Sequence, residues 1–599
     1  MMSPLRTQAS RRALQSCCCR SRPVLSHHAT QFLPAQSRSF HHPSYSPADR
    51  KDFDRKVQEL GKITPVPENA KIAIVGAGLT GLTTAYYLAK DLPPGCKIVI
   101  YDGQNRVGGW IRSETHSVDV GGTKSQVLFE RGPRAISPGD ALHGQQDRLV
   151  LYDLLLNHGL VAYPGRSNLA RYIYSPQGHL VNLSGLRLDP SVFDEPIYRL
   201  MLKGGLWWAL KWRFRRPGWF PNDDVSLGEY VERASGSRRL VDDVASAGVH
   251  GIWGGDIDKI SAMSALGLHF QTANMSYWQA NDLGLRVTEQ KFAADFLQER
   301  PYVKAMYAMK PPALVNFGKF GLESLPIALA DSLKSDSRVE TRLGNSINSI
   351  EYDPAEKKVK ITDSNKNTEV YDKVISTTSG QHANQMTGGK LESLQDSHSV
   401  DIMTVNLWYP QGTLVPSGLG YLIPKSCPPE LNPERALGVF FDSNVAEQQQ
   451  KQEGGTKVFV LMGGHQYDGM EAPSEAQAIE QAKTLLHRHL GIPVDLPCYA
   501  VSKLAKGCLP QHHVGHHRRM ARLSNELIDK FENRLALIGG SYSRPGVASA
   551  LRAGFDMAHT ITQYNFNDNG VSRFSHGEVS DPYFPLGEKE YLERNFQSG

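Results

Sequence analysis

Residues 71–90 read KIAIVGAGLTGLTTAYYLAK. A continuous apolar run of strand length meets glycines at once, and an apolar-periodic segment of helix length follows, so the stretch predicts strand, tight turn and helix. Within Gly76-Ala77-Gly78-Leu79-Thr80-Gly81 the first glycine makes the turn, the second lets backbone approach a pyrophosphate, and the third packs helix on strand. The N–H groups and positive dipole end of the helix then face the phosphates. A second strand, KIVIYD over 97–102, ends in Asp102, at the spacing where a carboxylate accepts from a ribose hydroxyl, and Gly103 follows. Strand, glycines, helix, strand and acid in this order predict a dinucleotide-binding unit.

The next residues separate FAD from NAD. Asn105-Arg106-Val107-Gly108-Gly109-Trp110-Ile111-Arg112 carries a Gly-Gly pair that lets backbone pass close to a diphosphate and an Arg that can neutralise it. This suits a cofactor lying extended, and the element resembles that of the flavin amine oxidase superfamily. Near the other end, residues 534–550 read RLALIGGSYSRPGVASA, again strand, glycine-rich turn and helix. Its opening, around Gly540, Val547, Ala548 and Ser549, would aim N–H groups at the N1/O2 edge of the flavin, where negative charge develops on reduction. Monoamine oxidases of the superfamily attach flavin to a Cys in the corresponding segment, and none lies here between Cys508 and the last residue, so the resemblance implies non-covalent FAD. Val374–Thr378 reads as a further strand, and the resemblance implies that Ile347 contacts adenine.

Several segments are similar, more narrowly, to protoporphyrinogen oxidases. Gly108–Arg112 has the GGWIR form, and Phe129-Glu130-Arg131-Gly132-Pro133-Arg134 resembles FELGPR, with Arg131 in place of the usual Leu. HGIWGGD (250–256), FGLESLP (320–326), GLGYLIP (418–424), FDS (441–443) and LPQ…VGH (509–516) follow in the family's order. The reading SYSRPGVAS departs from the family's shorter turn. The resemblance implies oxidation of protoporphyrinogen IX to protoporphyrin IX, the penultimate step of haem biosynthesis, with oxygen as acceptor and hydrogen peroxide as product. It implies cofactor contacts at Gly76, Ala77, Gly78, Leu79, Thr80, Gly81, Asp102, Gly103, Arg106, Gly109, Trp110, Gly132, Pro133, Arg134, Ile347, Gly540, Val547, Ala548 and Ser549. Arg171 would hold a substrate propionate. No side-chain general base is expected. The alternatives are another FAD-dependent amine oxidase or desaturase of the same fold, and a flavin-bound scaffold that carries porphyrin without chemistry.

The expected fold is α/β: a discontinuous Rossmann-like FAD-binding domain, a mixed-sheet substrate domain and a helical membrane-binding insertion. The expected divisions are a transit peptide (1–45); FAD-binding parts at 68–138, 315–390 and 525–565; substrate parts at 139–171, 276–314 and 391–524; the helical membrane region at 172–275; and a loose or surface-packed tail at 566–599.

Composition fits this reading. The 599 residues carry 66 Lys+Arg against 61 Asp+Glu. Six of the cations (Arg6, Arg11, Arg12, Arg20, Arg22, Arg38) precede residue 46 with no acid among them, which leaves 60 against 61 and a nearly neutral body. The basic excess is therefore a targeting signal, of mitochondrial composition, and not a nucleic-acid surface. Residues 198–220 interleave Trp207, Trp208, Trp212 and Trp219 with Lys203, Lys211, Arg213, Arg215 and Arg216, as a segment lying in a membrane interface requires. The expected place is peripheral on the mitochondrial inner membrane, facing the intermembrane space. A homodimer and contact with a ferrochelatase are expected by resemblance. Cys96, Cys427, Cys498 and Cys508 have no paired spacing and should be free thiols. His512, His513, His516 and His517 lack partner carboxylates or thiols, and no metal is expected.

Overall fold

The computed structural model describes residues 64–572 and 574, outside 137–145, 165–168, 185–193, 215–218, 222, 268, 271–272, 274–283, 309–314 and 446–453. The expected transit peptide, Arg215, Arg216 and most of the expected tail lie outside the described residues.

The opening stretch forms β1 (Lys71–Val75) and α1 (Leu79–Asp91), and the second apolar run forms β2 (Lys97–Asp102). After Lys71, β1 is apolar and buried because both faces of a parallel strand are covered. A hairpin follows, β3 (Ser113–Val120) and β4 (Thr123–Glu130), then α2 (Arg148–Asn157). Later come β5 (Arg171–Tyr174), β6 (Leu180–Asn182), α3 (Pro196–Phe214), α4 (Ser246–Trp253) and α5 (Gly284–Glu299). The chain then returns through β7 (Val339–Leu343), β8 (Ile347–Asp353), β9 (Lys358–Asp363), β10 (Thr368–Tyr371) and β11 (Lys373–Ser376). β12 (His398–Tyr409), β13 (Gly420–Leu422), β14 (Ala436–Phe440), β15 (Thr456–Gly463) and β16 (Tyr499–Gln511) precede α6 (His516–Phe531), β17 (Leu535–Leu537) and α7 (Val547–Gln563).

Three distant stretches meet in one parallel sheet, ordered β17-β11-β1-β2-β7. Its register aligns Ala536, Ile375, Ile74, Ile100 and Thr341 in one row. This is the discontinuous nucleotide-type sheet that the two glycine motifs predict. One apolar layer packs α1, α2, α5 and α7 on one face, and another, with Met520, Leu523, Leu527 and Phe531 of α6, covers the other. A seven-stranded mixed sheet, β16-β12-β15-β14-β13-β5-β6, stands apart from it, with β13 and β5 parallel and the other neighbours antiparallel.

Four expected divisions shift. Residues 172–182 belong to the mixed sheet, because β5 and β6 pair there and β5 pairs with β13, so the helical region starts after them. The helices at 284–308 pack on the nucleotide side, where Phe292 and Phe296 meet Phe555 of α7. The stretch 516–524 is the first half of α6 and also lies on the nucleotide sheet. Residues 566–572 are buried except for the half-buried Asn567 and Gly570: the Phe566 N–H donates to the Thr64 carbonyl (2.8 Å) and the Leu537 N–H to the Asn569 carbonyl (3.0 Å). A strand edge needs partners for its polar groups, and this segment supplies them.

Candidate cofactor site

The loops after β1, β2, β11 and β17 gather at the carboxyl ends of the parallel strands, where open α/β sheets bind ligands. At the centre, the Gly76 N–H donates to the Tyr101 carbonyl (2.7 Å) and the Ala77 N–H to Asp102 Oδ2 (2.8 Å). The other carboxylate oxygen of Asp102 accepts from the Gln104 N–H (2.8 Å). Each oxygen keeps further acceptor capacity, so a ribose hydroxyl still fits.

α1 opens at Gly78 with no side-chain cap and no acid in its first turn, which leaves its positive end to a phosphate. The Gly108 N–H donates to the Ala77 carbonyl (2.9 Å), which joins the two glycine loops. A Cβ built on Gly109 would meet only the Cα of Gly78 at 3.3 Å, so bare backbone faces bare backbone. Leu79 and Thr80 are buried on α1. Arg106 braces its own loop: its Nη1 donates to the carbonyls of Val107 and Ile111 (both 3.0 Å) and its Nη2 to Gly109 (2.5 Å). Burial lowers its pKa below the usual guanidinium value. Trp110 stands out of the cradle, 52% exposed. A Cβ on Gly132 would lie 2.3 Å from the Trp110 carbonyl, so the GGW and GPR segments touch through backbone.

Pro133 is partly buried beside Arg134, which ties the cradle to the mixed sheet. The Nε of Arg134 lies 2.9 Å from Asp442 Oδ1, and its guanidinium sits 3.2 Å from the Phe459 ring centroid. Ile347 opens β8, and the segment before it lies along Asp102: the Asn345 N–H donates to the Asp102 carbonyl (2.8 Å). A Cβ on Gly103 would meet Ser346 Oγ at 2.4 Å, so Ile347 and Gly103 are brought to the same end of β2. At the second glycine turn, Gly546 takes φ +124°, and α7 starts at Val547 with no side-chain cap and no acid in its first turn. Val547 and Ala548 are partly buried there. Behind this turn the Nε2 of His512 donates to the Gly540 carbonyl (2.8 Å), and its ring stacks on His516 at 3.9 Å. Burial pushes His512 down to about 4, so it is neutral at physiological pH and serves as a fixed donor.

Two groups that the sequence reading did not single out hold this region. Asp147 Oδ2 accepts from Arg544 Nη2 (2.7 Å) and Ser549 Oγ (3.0 Å). Arg552 spans Glu289 of α5 (Nη2 to Oε1, 3.0 Å) and Asp556 (Nε to Oδ1, 2.7 Å). Asp147 lies 402 residues from Ser549 and Glu289 lies 263 from Arg552, so spacing could not reveal those contacts, whereas the Arg552–Asp556 pair, four residues apart on α7, has a spacing that the sequence shows. The expected substrate anchor, Arg171, is elsewhere: it is exposed on β5, opposite Gly420 of β13, and its N–H donates to Ser184 Oγ (2.8 Å).

Glu130, at the end of β4, links the cradle to the loop before the 324–334 helix. Its carboxylate accepts from Ser113 Oγ (2.7 Å) and the Leu322 N–H (2.8 Å). Burial raises it to about 7, although those two donors and nearby Arg134 and Lys457 pull the other way. A carboxyl whose folded pKa exceeds its unfolded value stabilises the fold fully below the unfolded value of about 4.3, and the contribution is lost as pH rises through 7. Glu130→Gln should therefore flatten the fall in thermal midpoint between pH 5 and 8, by on the order of 3 kcal/mol in stability. Parallel pH profiles for the two proteins would contradict this.

The cradle therefore fits FAD: two uncapped helix openings, two bare glycine loops and a ribose-spaced carboxylate. Comparison with known proteins agrees. The family described as flavin containing amine oxidoreductase matches residues 79–561. Protoporphyrinogen oxidase of Schizosaccharomyces pombe is 28% identical over 507 residues, 82% of this chain and 98% of its own. The human protoporphyrinogen oxidase is 26% identical over 510 residues, again 82% and 98%. Among solved structures, putrescine oxidase bound to putrescine superposes with a TM-score of 0.53 at 17% identity, covering 82% of this chain and 98% of its own, a likeness of fold. The chain, with its two glycine-lined helix openings on one discontinuous sheet, belongs to the flavin containing amine oxidoreductase family and takes FAD as its cofactor.

Proposed function

We propose that this protein oxidises protoporphyrinogen IX to protoporphyrin IX. What carries the reading is end-to-end similarity to protoporphyrinogen oxidases, through both the nucleotide sheet and the mixed sheet, over 98% of the length of the fission yeast and human proteins. Bound FAD supplies a two-electron acceptor for hydride from a meso carbon of the macrocycle. The chain's part is to hold that acceptor and to orient the substrate. The residues that would hold FAD are those of the two glycine turns, with Asp102, Gly103, Gly132, Pro133, Arg134 and Ile347. α1 and α7 direct partial positive charge at the phosphates and the ring end respectively.

Arg171 is the candidate propionate anchor. A guanidinium offers a planar fork that pairs with a carboxylate through two parallel hydrogen bonds, which fixes orientation as well as affinity. Its strand is held by β13 on one side and by β6 on the other, so the anchor stands on a rigid element. The released proton leaves a pyrrole N–H, and no side-chain base is assigned. Arg171→Ala is expected to raise KM by about tenfold or more, corresponding to loss of about 1.5–3 kcal/mol from a charged hydrogen bond, with normal flavin content. An unchanged KM removes the anchor.

The acceptor of electrons from reduced flavin is proposed to be oxygen, with hydrogen peroxide as product, on the outer face of the mitochondrial inner membrane. In support of a peripheral membrane contact, α3 leaves Leu202, Leu206, Trp207, Leu210 and Phe214 exposed, Leu206 by 74%, beside Arg199, Lys203 and Arg213, whereas Trp208, Trp212 and Trp219, also expected at the interface, pack partly buried against the helical core. Apolar and aromatic groups with a cationic rim suit an anionic bilayer surface. No described helix is long and apolar enough to cross a membrane. The homodimer and the ferrochelatase contact are proposed on the resemblance alone. Purified protein given protoporphyrinogen IX or coproporphyrinogen III, with porphyrin fluorescence followed in air, tests the substrate assignment. Faster turnover of protoporphyrinogen supports it; preference for the substrate with four propionates would replace it.

A further inference from the structure

The turn that opens α7 runs Gly539-Gly540-Ser541-Tyr542-Ser543-Arg544-Pro545-Gly546. Arg544, which lies in this turn, is only 7% exposed. Its Nη2 donates to Asp147 Oδ2 at 2.7 Å, and Ser549 Oγ, in the first turn of α7, donates to the same oxygen at 3.0 Å. One carboxylate thus joins the turn to the helix that it opens.

Asp147 is placed unusually for this work. It occupies the N-cap position of α2, where an Asp side chain ordinarily accepts from the helix's own N–H groups, yet its carboxylate makes no such bond. It is 4% exposed, and its second oxygen, Oδ1, is buried without a hydrogen-bond partner among the described residues. A buried carboxylate with an unfilled acceptor costs stability, so the arrangement is explained if a donor arrives with a ligand. The neighbouring Glu289–Arg552–Asp556 group anchors α7 one turn further on, and so the start of the helix is held from two sides.

We infer that Arg544 and Asp147 form a cofactor-positioning pair, which holds the 539–546 turn and the first turn of α7 so that their uncapped N–H groups meet the ring end of the flavin. The inference rests on the reading that this helix opening meets the flavin ring. Holding those donors in place favours the reduced, more negative flavin, because preorganised N–H groups stabilise charge without reorganising. Loss of the pair should therefore weaken FAD binding and lower the reduction potential together, whereas loss of a merely structural ion pair should lower only the melting temperature.

The test compares Arg544→Met, Arg544→Lys and Asp147→Asn with Arg488→Met, which breaks a half-buried pair with Glu434 (2.7 Å) on the mixed-sheet side. FAD dissociation from the holoprotein and the reduction potential of its bound flavin are measured for each. Arg544→Met is expected to weaken FAD binding by about tenfold or more and to lower the potential, with partial recovery in Arg544→Lys, while Arg488→Met leaves both at the wild-type values. Should Arg544→Met fail to fold, Asp147→Asn must still weaken FAD binding. FAD affinity and potential at wild-type values in folded Arg544→Met or Asp147→Asn overturn the positioning role. Failure of the underlying reading is recognised separately, because then Val547→Pro, which removes one N–H from the opening of α7 at a first helical position where Pro is tolerated, would leave the reduction potential of the bound flavin at the wild-type value.

Discussion

Gly81→Ala is expected to yield protein without bound flavin. A Cβ at this position would lie 1.9 Å from the Gly76 carbonyl oxygen and 3.2 Å from the Ile74 side chain. The obstructing atom is backbone of the turn itself, so relief requires the turn and α1 to move apart. That movement separates the N–H groups of α1 from the Ala77–Asp102 hydrogen bond that positions them. The phosphate site depends on both, and overpacking at such a contact costs typically ~1–3 kcal/mol in stability alone. The variant should purify colourless, or lose its FAD on gel filtration, with far-ultraviolet circular dichroism close to wild type. Full flavin content in Gly81→Ala would show that the turn does not carry the phosphates.

Arg552→Met should be the most destabilising of the single substitutions considered. Arg552 is 1% exposed, bridges Glu289 and Asp556, and stacks on Phe292 at 3.5 Å. Glu289 is itself 2% exposed and also accepts from the Gln146 N–H (2.8 Å). Burial already raises Asp556 to about 7 while Arg552 pulls it down. Removing the cation leaves the buried Glu289 with only the Gln146 N–H and the partly buried Asp556 without its charged partner, and such losses cost about 3–5 kcal/mol. A large fall in thermal midpoint is expected, partly reversed at low pH as the orphaned carboxyls take up protons. A midpoint within a degree or two of wild type would mean that the network is dispensable.

Local signals in the sequence carried far. The apolar runs at 71–75, 97–102, 373–376 and 535–537 became neighbouring strands because glycine turns and apolar periodicity are properties of a few consecutive residues. Features set by distant partners were not legible. Nothing within 171–182 says that Tyr172 will pair beside Tyr421, and nothing in 284–308 says that Phe296 will meet Phe555. Asn569 looks like tail until its carbonyl is seen to complete the edge of β17. Trp110 identifies the family form of its loop, yet its side chain points to solvent while the backbone of that loop does the holding. Arg106 reads as a phosphate partner, and its guanidinium also braces three carbonyls of its own loop, which the sequence does not show.

The central claim, that bound FAD in this chain takes hydride from protoporphyrinogen IX, is tested most directly by anaerobic mixing of the detergent-solubilised holoprotein with that substrate while flavin absorbance is followed. The account predicts bleaching of the flavin, then recovery of its colour and catalytic porphyrin fluorescence when oxygen is readmitted. A flavin that stays oxidised in the presence of protoporphyrinogen IX would contradict it.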